Sequence, residues 1–395
     1  MIFQTPPLDG DDLEVLSLIE DQRLRLRVHT GNAPRRWLGS LRRSMMARAI
    51  QGSNSIEGYN ATLDDAMAVV EDEPLSDEQT ETARAIRGYR AALTFIVQGA
   101  TDPYFEYSRQ FLKSLHFMML GHEVSKYPGQ WRPGPVFVVN AKDGETVYTA
   151  PDAESVNALT GELIAYLQEN NADLPIIKAA MAHLNLTMIH PFKDGNGRMA
   201  RALQTLVISL GGTLHPAFSS IEEWLGENTG EYYKVLSVVG QGQWSPHRSA
   251  LPWIRFCLKA HYQQAALLIR RNEEYGLLFE KITEIADRHK LSQRLHTTLF
   301  DAALGFRVTN LRHRSDATIS ELAATRDLKK LCDIGLMAPF GEKRGRFYKA
   351  SDELRAVRAA TRLPMPVGDP YEIVARKTKK AALGPLFSKF GADGA

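Results

Sequence analysis

Residues His190–Arg201 read HPFKDGNGRMAR. Upstream, Ile177, Met181, Leu184 and Met188 recur at helical spacing, and downstream Leu203, Leu206, Val207 and Leu210 do the same. A polar loop therefore interrupts two amphipathic helices. A helix start leaves about four backbone N–H groups unpaired and carries a partial positive charge. Gly195 and Gly197 lack the Cβ atoms that would hold an anion away from those groups. Asn196 adds a side-chain donor, and Arg198 and Arg201 share one face of the first turn. Backbone donors, dipole and two guanidinium groups converge on one point, an anion site suited to a phosphate chain. Asp194 inside such a site calls for a cation, and one carboxylate with phosphate oxygens and waters is the usual way to hold Mg2+. His190, ending the first helix, is suited to take a proton from a hydroxyl. Pro191 stops that helix, and Phe192 is expected to plug into the core and fix the depth of the loop.

Outward from this loop, most of the chain reads as amphipathic helices: 11–29, 35–51, 77–98, 106–122, 153–168, 174–189, 219–238 and 250–275. Thr62 is an N-cap, with Asp64 and Asp65 in the first turn after it. Only 129–151 alternates like strand. Val136–Val139 and Val147–Tyr148 flank an Asp143–Gly144 turn, an isolated hairpin read as a flap. Phe137 and Tyr148 are its candidate functional side chains, and packing of the hairpin explains them equally well.

The 395 residues are 44% hydrophobic, enough for a substantial core and for two or three domains. A net charge of +2 excludes general polyanion affinity, so any nucleic-acid surface must be local. Cys257 and Cys332 form no metal or disulfide pattern and fit a reducing compartment. The first residues lack a signal-peptide pattern, and no apolar run reaches the roughly 20 residues a bilayer requires. A soluble, cytoplasmic protein is expected.

The twelve-residue stretch matches the signature of the Fic family, H-P-F-x-[D/E]-G-N-G-R-x-x-R, at every defined position, and the resemblance extends over roughly residues 45–260. It implies an all-α Fic fold with one β-hairpin flap, and transfer of AMP from ATP to a Ser, Thr or Tyr hydroxyl of a protein, including self-modification, with release of pyrophosphate. By resemblance His190 is the general base, Asp194 the Mg2+ ligand, Gly195, Asn196 and Gly197 the anion cradle, and Arg198 and Arg201 the clamp on the β and γ phosphates. The flap would align the target segment by strand addition. Gly197 stands where phosphate-transferring relatives carry Lys, which favours adenylylation. Asn228 and Tyr232 lie in the stretch resembling the adenine-side segment, although Tyr232 and Tyr233 read equally well as core aromatics.

Upstream, Ser53–Gly58 reads SNSIEG and matches the inhibitory motif of the family, [S/T]-x-x-x-E-[G/N]. The resemblance pairs Glu57 with Arg201, so that a carboxylate takes the place needed by the γ-phosphate, with Ser53 on the same helical face. The boundaries expected are an N-terminal helical region with this motif over 1–105, the Fic core over 106–275, a small winged helix-turn-helix domain over 276–360, and a mobile tail over 361–395. In the third, Arg326, Lys329 and Lys330 on a helix and Lys343, Arg344 and Arg346 at a hairpin tip suit phosphate-backbone contact, while interleaved Glu321, Asp327 and Asp333 suit a protein-interaction module. Homodimer formation is a further expectation. The alternatives left open are a DNA-binding regulator that uses the Fic domain as a nucleotide sensor, and an enzyme that removes AMP.

Overall fold

The computed structural model describes residues 1–31, 36–75, 77–139, 145–169, 173–212, 214–364 and 367–388. Ile2 and Phe3 are buried, and the Asn185 side chain clasps the Phe3 backbone through hydrogen bonds of 2.8 and 3.1 Å. Helix α1 (Gly10–Gly31) buries Val15, Ile19 and Leu26. Helix α2 (Leu38–Ile56) extends the helix expected over 35–51, so Ser53 lies in its last turn and Glu57 caps it. The chain leaves through Gly58, whose φ of +86° suits glycine. Thr62 starts α3 (Leu63–Val70) with the capping box its sequence predicts, exchanging bonds with Asp65. Thr80 and Ser108 cap α4 (Glu81–Gly99) and α5 (Arg109–Leu120) through their side-chain oxygens.

Strands β1 (Phe137–Val139) and β2 (Thr146–Thr149) pair antiparallel. The expected Asp143–Gly144 turn lies outside the described residues. The hairpin is not isolated: β3 (Gly242–Gln243) adds to β2 in parallel, and the Tyr148 hydroxyl donates to the Met188 carbonyl at 2.8 Å. These contacts anchor its base on the helical body.

Helices α6 (Val156–Gln168), α7 (Pro175–Ile189) and α8 (Asn196–Leu210) follow, α7 and α8 packing side by side. The helix expected over 219–238 breaks at Asn228 into α9 (Glu222–Glu227) and α10 (Thr229–Gly240). Then α11 (Leu251–Arg288) runs unbroken for 38 residues. A domain boundary at 275/276 therefore falls inside a helix. Gly276, at that boundary, faces the Trp37 ring, which a Cβ would meet at 3.3 Å.

Beyond α11 come α12 (His296–Ala303), α13 (Asn310–Ala317), α14 (Glu321–Asp333), the antiparallel β4 (Met337–Phe340) and β5 (Phe347–Ala350), and α15 (Asp352–Ala360). Arg326, Lys329, Lys330, Lys343 and Arg346 are exposed, whereas Asp327 is held by Arg294 at 2.7 Å and His313 at 3.0 Å. The tail is not a free extension over its described residues. It forms α16 (Pro370–Ser388), with Val374 buried and the Tyr371 hydroxyl bonded to Asp12.

Three apolar clusters hold the chain together. One fills the space among α2–α8, a second joins α1, α2, α11, α12, α14, α15 and the β4–β5 hairpin, and a third lies around α7, α9, α10 and the first half of α11. Helix α2 contributes to all three, through Ala49 and Ile50, through Leu38, Leu41 and Met45, and through Ile56. It crosses α9 at Gly52, where a Cβ would lie 2.4 Å from the Glu222 carbonyl oxygen. Beside this crossing Glu223 accepts from Arg271 at 2.8 Å and Arg48 at 3.1 Å, tying α2, α9 and α11. Among the described residues no helix is long and apolar enough to cross a membrane.

Candidate active site

Helix α7 ends because His190 turns left-handed (φ +53°) and Pro191 cannot donate. The His190 Nδ1 lies 3.1 Å from the Thr187 carbonyl oxygen, which only accepts, so Nδ1 holds the proton and Nε2 keeps its lone pair. Burial lowers the proton affinity of the imidazole, with Arg132 adding to the effect and Thr187, Glu57 and Asp194 opposing it. The net result is a neutral ring at neutral pH, as a general base requires.

Phe192 is fully buried and stacks on His116, ring centroids 3.8 Å apart, as its expected plugging role demands. His116 in turn bridges two segments. Its Nδ1 accepts from the Gly129 N–H at 2.9 Å and its Nε2 reaches the Asp194 carbonyl at 3.0 Å. Burial pushes its pKa down to about 4. Asn196 does not offer its amide to an anion. Its Oδ1 and Nδ2 bond the Phe192 N–H and carbonyl, both at 2.9 Å, so the side chain sets the shape of the loop.

Gly195 takes the left-handed backbone (φ +76°) that starts α8, and a Cβ there would strike Leu120. Arg198 is buried against the Tyr59 ring at 5.1 Å, with Nε and Nη1 lacking any partner. Arg201 donates from Nε to the Ser53 hydroxyl at 2.8 Å, and from Nη2 to the Ser53 carbonyl at 3.0 Å and to Glu57 Oε1 at 2.6 Å. Its Nη1 has no partner. Burial works against the charge on Arg201, but Glu57 beside it more than compensates and holds the proton firmly. A Cβ on Gly197 would sit 2.4 Å from Glu57 Oε1, so the missing side chain makes room for a negatively charged group.

Asp194 Oδ1 accepts from the Gly195 N–H at 2.6 Å, and Oδ2 faces Lys126 at 3.3 Å. Burial raises its proton affinity, but Arg198, these bonds and Lys126 outweigh it, so the carboxyl is ionised. One ionised carboxylate at the mouth of an anion cradle fits a hard divalent cation that shares phosphate oxygens.

His190, Asp194, Gly195, Gly197, Arg198, Arg201, Ser53 and Glu57 thus gather around the start of α8. Tyr232 borders them, its ring 6.0 Å from the Arg201 guanidinium. It is buried with its hydroxyl 3.0 Å from His183 Nε2, in a chain that continues through Gln204 to His261. Adjacent positions on α10 point about 100° apart, and it is the half-exposed Tyr233 that reaches the end of α2, donating to the Ile56 carbonyl at 3.1 Å. Asn228 sits at the α9–α10 joint, its amide donating to the Trp224 carbonyl at 2.8 Å. In the flap, Tyr148 is a packing residue and Phe137 is exposed. Sequence reading missed His116, Tyr59 and Lys126, which arrive from other elements; Tyr59 alone had a local signal, two places after Glu57.

Residues 106–208 match the Fic/DOC family. The chain is 25% identical over 288 residues to the protein adenylyltransferase Fic of Nematostella vectensis, covering 72% of this chain and 62% of that relative. It therefore spans less than two thirds of the relative's length. A Fic family protein from Desulfovibrio desulfuricans superposes with a TM-score of 0.57 at 20% identity, covering 89% of this chain and 99% of that one. A Fic domain-containing signaling protein from Bacteroides thetaiotaomicron gives 0.55 at 20% identity, covering 65% and 96%. These likenesses establish the fold.

Proposed function

We propose, from the match of residues 106–208 to the Fic/DOC family, that the chain is an autoinhibited protein adenylyltransferase. It transfers AMP from ATP to a hydroxyl of a protein target, itself included. The observation that carries this reading is the set of unpartnered guanidinium nitrogens of buried Arg198 and Arg201 around the start of α8, where a chain of phosphates would be held. His190 Nε2 takes the proton of the target hydroxyl. The hydroxyl oxygen bonds the α-phosphorus, the bond to the bridging oxygen breaks, and pyrophosphate leaves. Asp194 would hold Mg2+, which supplies charge neutralisation on the phosphates. The resting chain is held off by Glu57, whose bond to Arg201 occupies a donor that the γ-phosphate needs.

Intact-mass measurement after incubation with ATP and Mg2+ tests this. Glu57→Gly should add the mass of AMP to the protein, wild type far less, and the double variant Glu57→Gly/His190→Ala none. Freeing Arg201 should also increase the thermal shift that ATP produces. Equal masses in all three proteins would refute the transferase reading. A second reading, removal of AMP, draws on the proximity of Glu57 to His190, close enough to raise its proton affinity. It predicts that wild type strips AMP from a modified target and that Glu57→Gly does not.

The remaining parts of the proposal concern organisation. The N-terminal region supplies the brake, residues 106–275 the chemistry, and residues 276–360 an accessory module whose exposed basic side chains leave DNA and protein partners both open. Salt-dependent DNA binding by the full chain would favour the regulator alternative.

A further inference from the structure

A cavity of about 200 Å3 lies against α2, and none of the active-site residues lines it. Met45, Met46 and Ala49 of α2 face Leu93 and Ile96 of α4 across it, with Thr205 of α8 also in the wall. An engineered apolar cavity of about 150 Å3 binds benzene, so this one has room for a short aliphatic chain.

Of the residues lining the cavity, Arg42 and His215 are the exposed ones, so they form its mouth. Arg43 beside them is neutralised by Glu71 at 2.6 Å and Asp301 at 3.2 Å. Arg42 has no such partner among the described residues. His215 Nδ1 accepts from the Ala217 N–H at 3.2 Å, which leaves Nε2–H free to donate. Burial and then the charge of Arg42 hold the proton affinity of this imidazole below its usual value, so the two groups sense each other without a carboxylate between them.

We propose that this cavity is a binding site for a medium-chain aliphatic carboxylate, its chain among Met45, Met46, Ala49, Leu93 and Ile96 and its head group between Arg42 and His215. The apolar walls account for the chain, and the uncompensated cationic mouth selects an anion over a neutral or cationic amphiphile. The site lies between the helix that carries the brake and α8, one turn beyond Arg201. Binding there does not depend on AMP transfer, so its test stands apart from the test of that activity.

Isothermal titration of the full chain with octanoate, octanol and octylamine decides it. Octanoate should bind saturably and at least tenfold more tightly than octylamine. From hexanoate to octanoate affinity should rise about fourfold per methylene. Arg42→Glu, at an exposed position, should weaken octanoate about tenfold or more and leave octanol unchanged. Ala49→Phe should abolish binding of all three by filling the cavity. Absence of saturable octanoate binding, equal affinity for octylamine, or an Arg42→Glu protein that binds octanoate normally would overturn the proposal.

Discussion

Glu222 lies close to Arg201, whose charge acts on it. It accepts from the Tyr89 hydroxyl at 2.7 Å, its Oε2 has no partner, and it is fully buried. Burial raises its pKa from 4.5 to about 7, with Tyr89, Arg201, Ser220 and Thr205 pulling the other way. Below pH 4.5 the folded and unfolded chains both hold this proton. Above it the unfolded chain releases the proton first, so stability falls until the pH passes 7, by about 3 kcal/mol in all. Glu222→Gln keeps an acceptor for Tyr89 and has no proton to lose. Its melting temperature should match wild type at pH 4.5 and exceed it above pH 7; parallel curves would mean that Glu222 does not titrate in this way. His116 and His183, held neutral with pKa values of about 4 and about 3, are common to both proteins and cancel in the difference. Nothing local marks Glu222 as special. It shares SIEEW with Glu223, which two arginines hold ionised at a pKa of about 2 despite its burial. Which of two adjacent carboxylates meets arginines is decided by α2 and α11.

At the scale of elements, α2 is a fixed part of the body. Its C-terminal half is gripped by α9 at Gly52, its first half by the second apolar cluster, and only Glu57 and Gly58 project past the packed turns. The proposed brake should therefore yield at Glu57 and Gly58 and not by departure of the helix. Gly52→Ala forces a Cβ against α9 backbone, and overpacking of this kind costs about 1–3 kcal/mol. The variant should melt earlier than wild type and, because Ser53 follows directly, label itself with AMP more readily. An unchanged melting temperature would show that the crossing relaxes freely. Capping was legible at Thr62, because a cap is a contact over three residues, whereas Thr80 and Ser108 show themselves as caps only in the structure. The extent of α11 was not legible: the helix expected over 250–275 runs on to Arg288, with Gly276 packed against Trp37.

Across the whole molecule, the second apolar cluster joins Leu26, Leu38, Leu41 and Met45 to Tyr275, Phe279, Phe300 and Leu328. Ion pairs cross the junction, Arg43 with Asp301 at 3.2 Å and Arg312 with Glu71 at 3.8 Å. Helices α12, α14 and α15 thus share one core with α2. A chain cut after residue 275 would expose that face of α2, so it should be insoluble or lack a cooperative melt by circular dichroism. The intact chain should show one calorimetric transition. Two separated transitions, with a well-folded 1–275 fragment, would establish the module as independent.

The anion site follows from twelve adjacent residues because a helix start, its glycines and its first-turn arginines act over a few ångströms of contiguous chain. Tertiary structure decided what remains available at that site. It turned the Asn196 amide onto Phe192, put Tyr232 in the core and left Tyr233 at the surface, and docked the residues expected to trail as a tail. It also brought Glu57 to Arg201 across 144 positions. A motif names both partners of that pair, but only the packing of α2 against α9 holds the carboxylate 2.6 Å from the guanidinium. Partners distant in the chain meet through the fit of whole helices, and spacing along the sequence carries no measure of that fit.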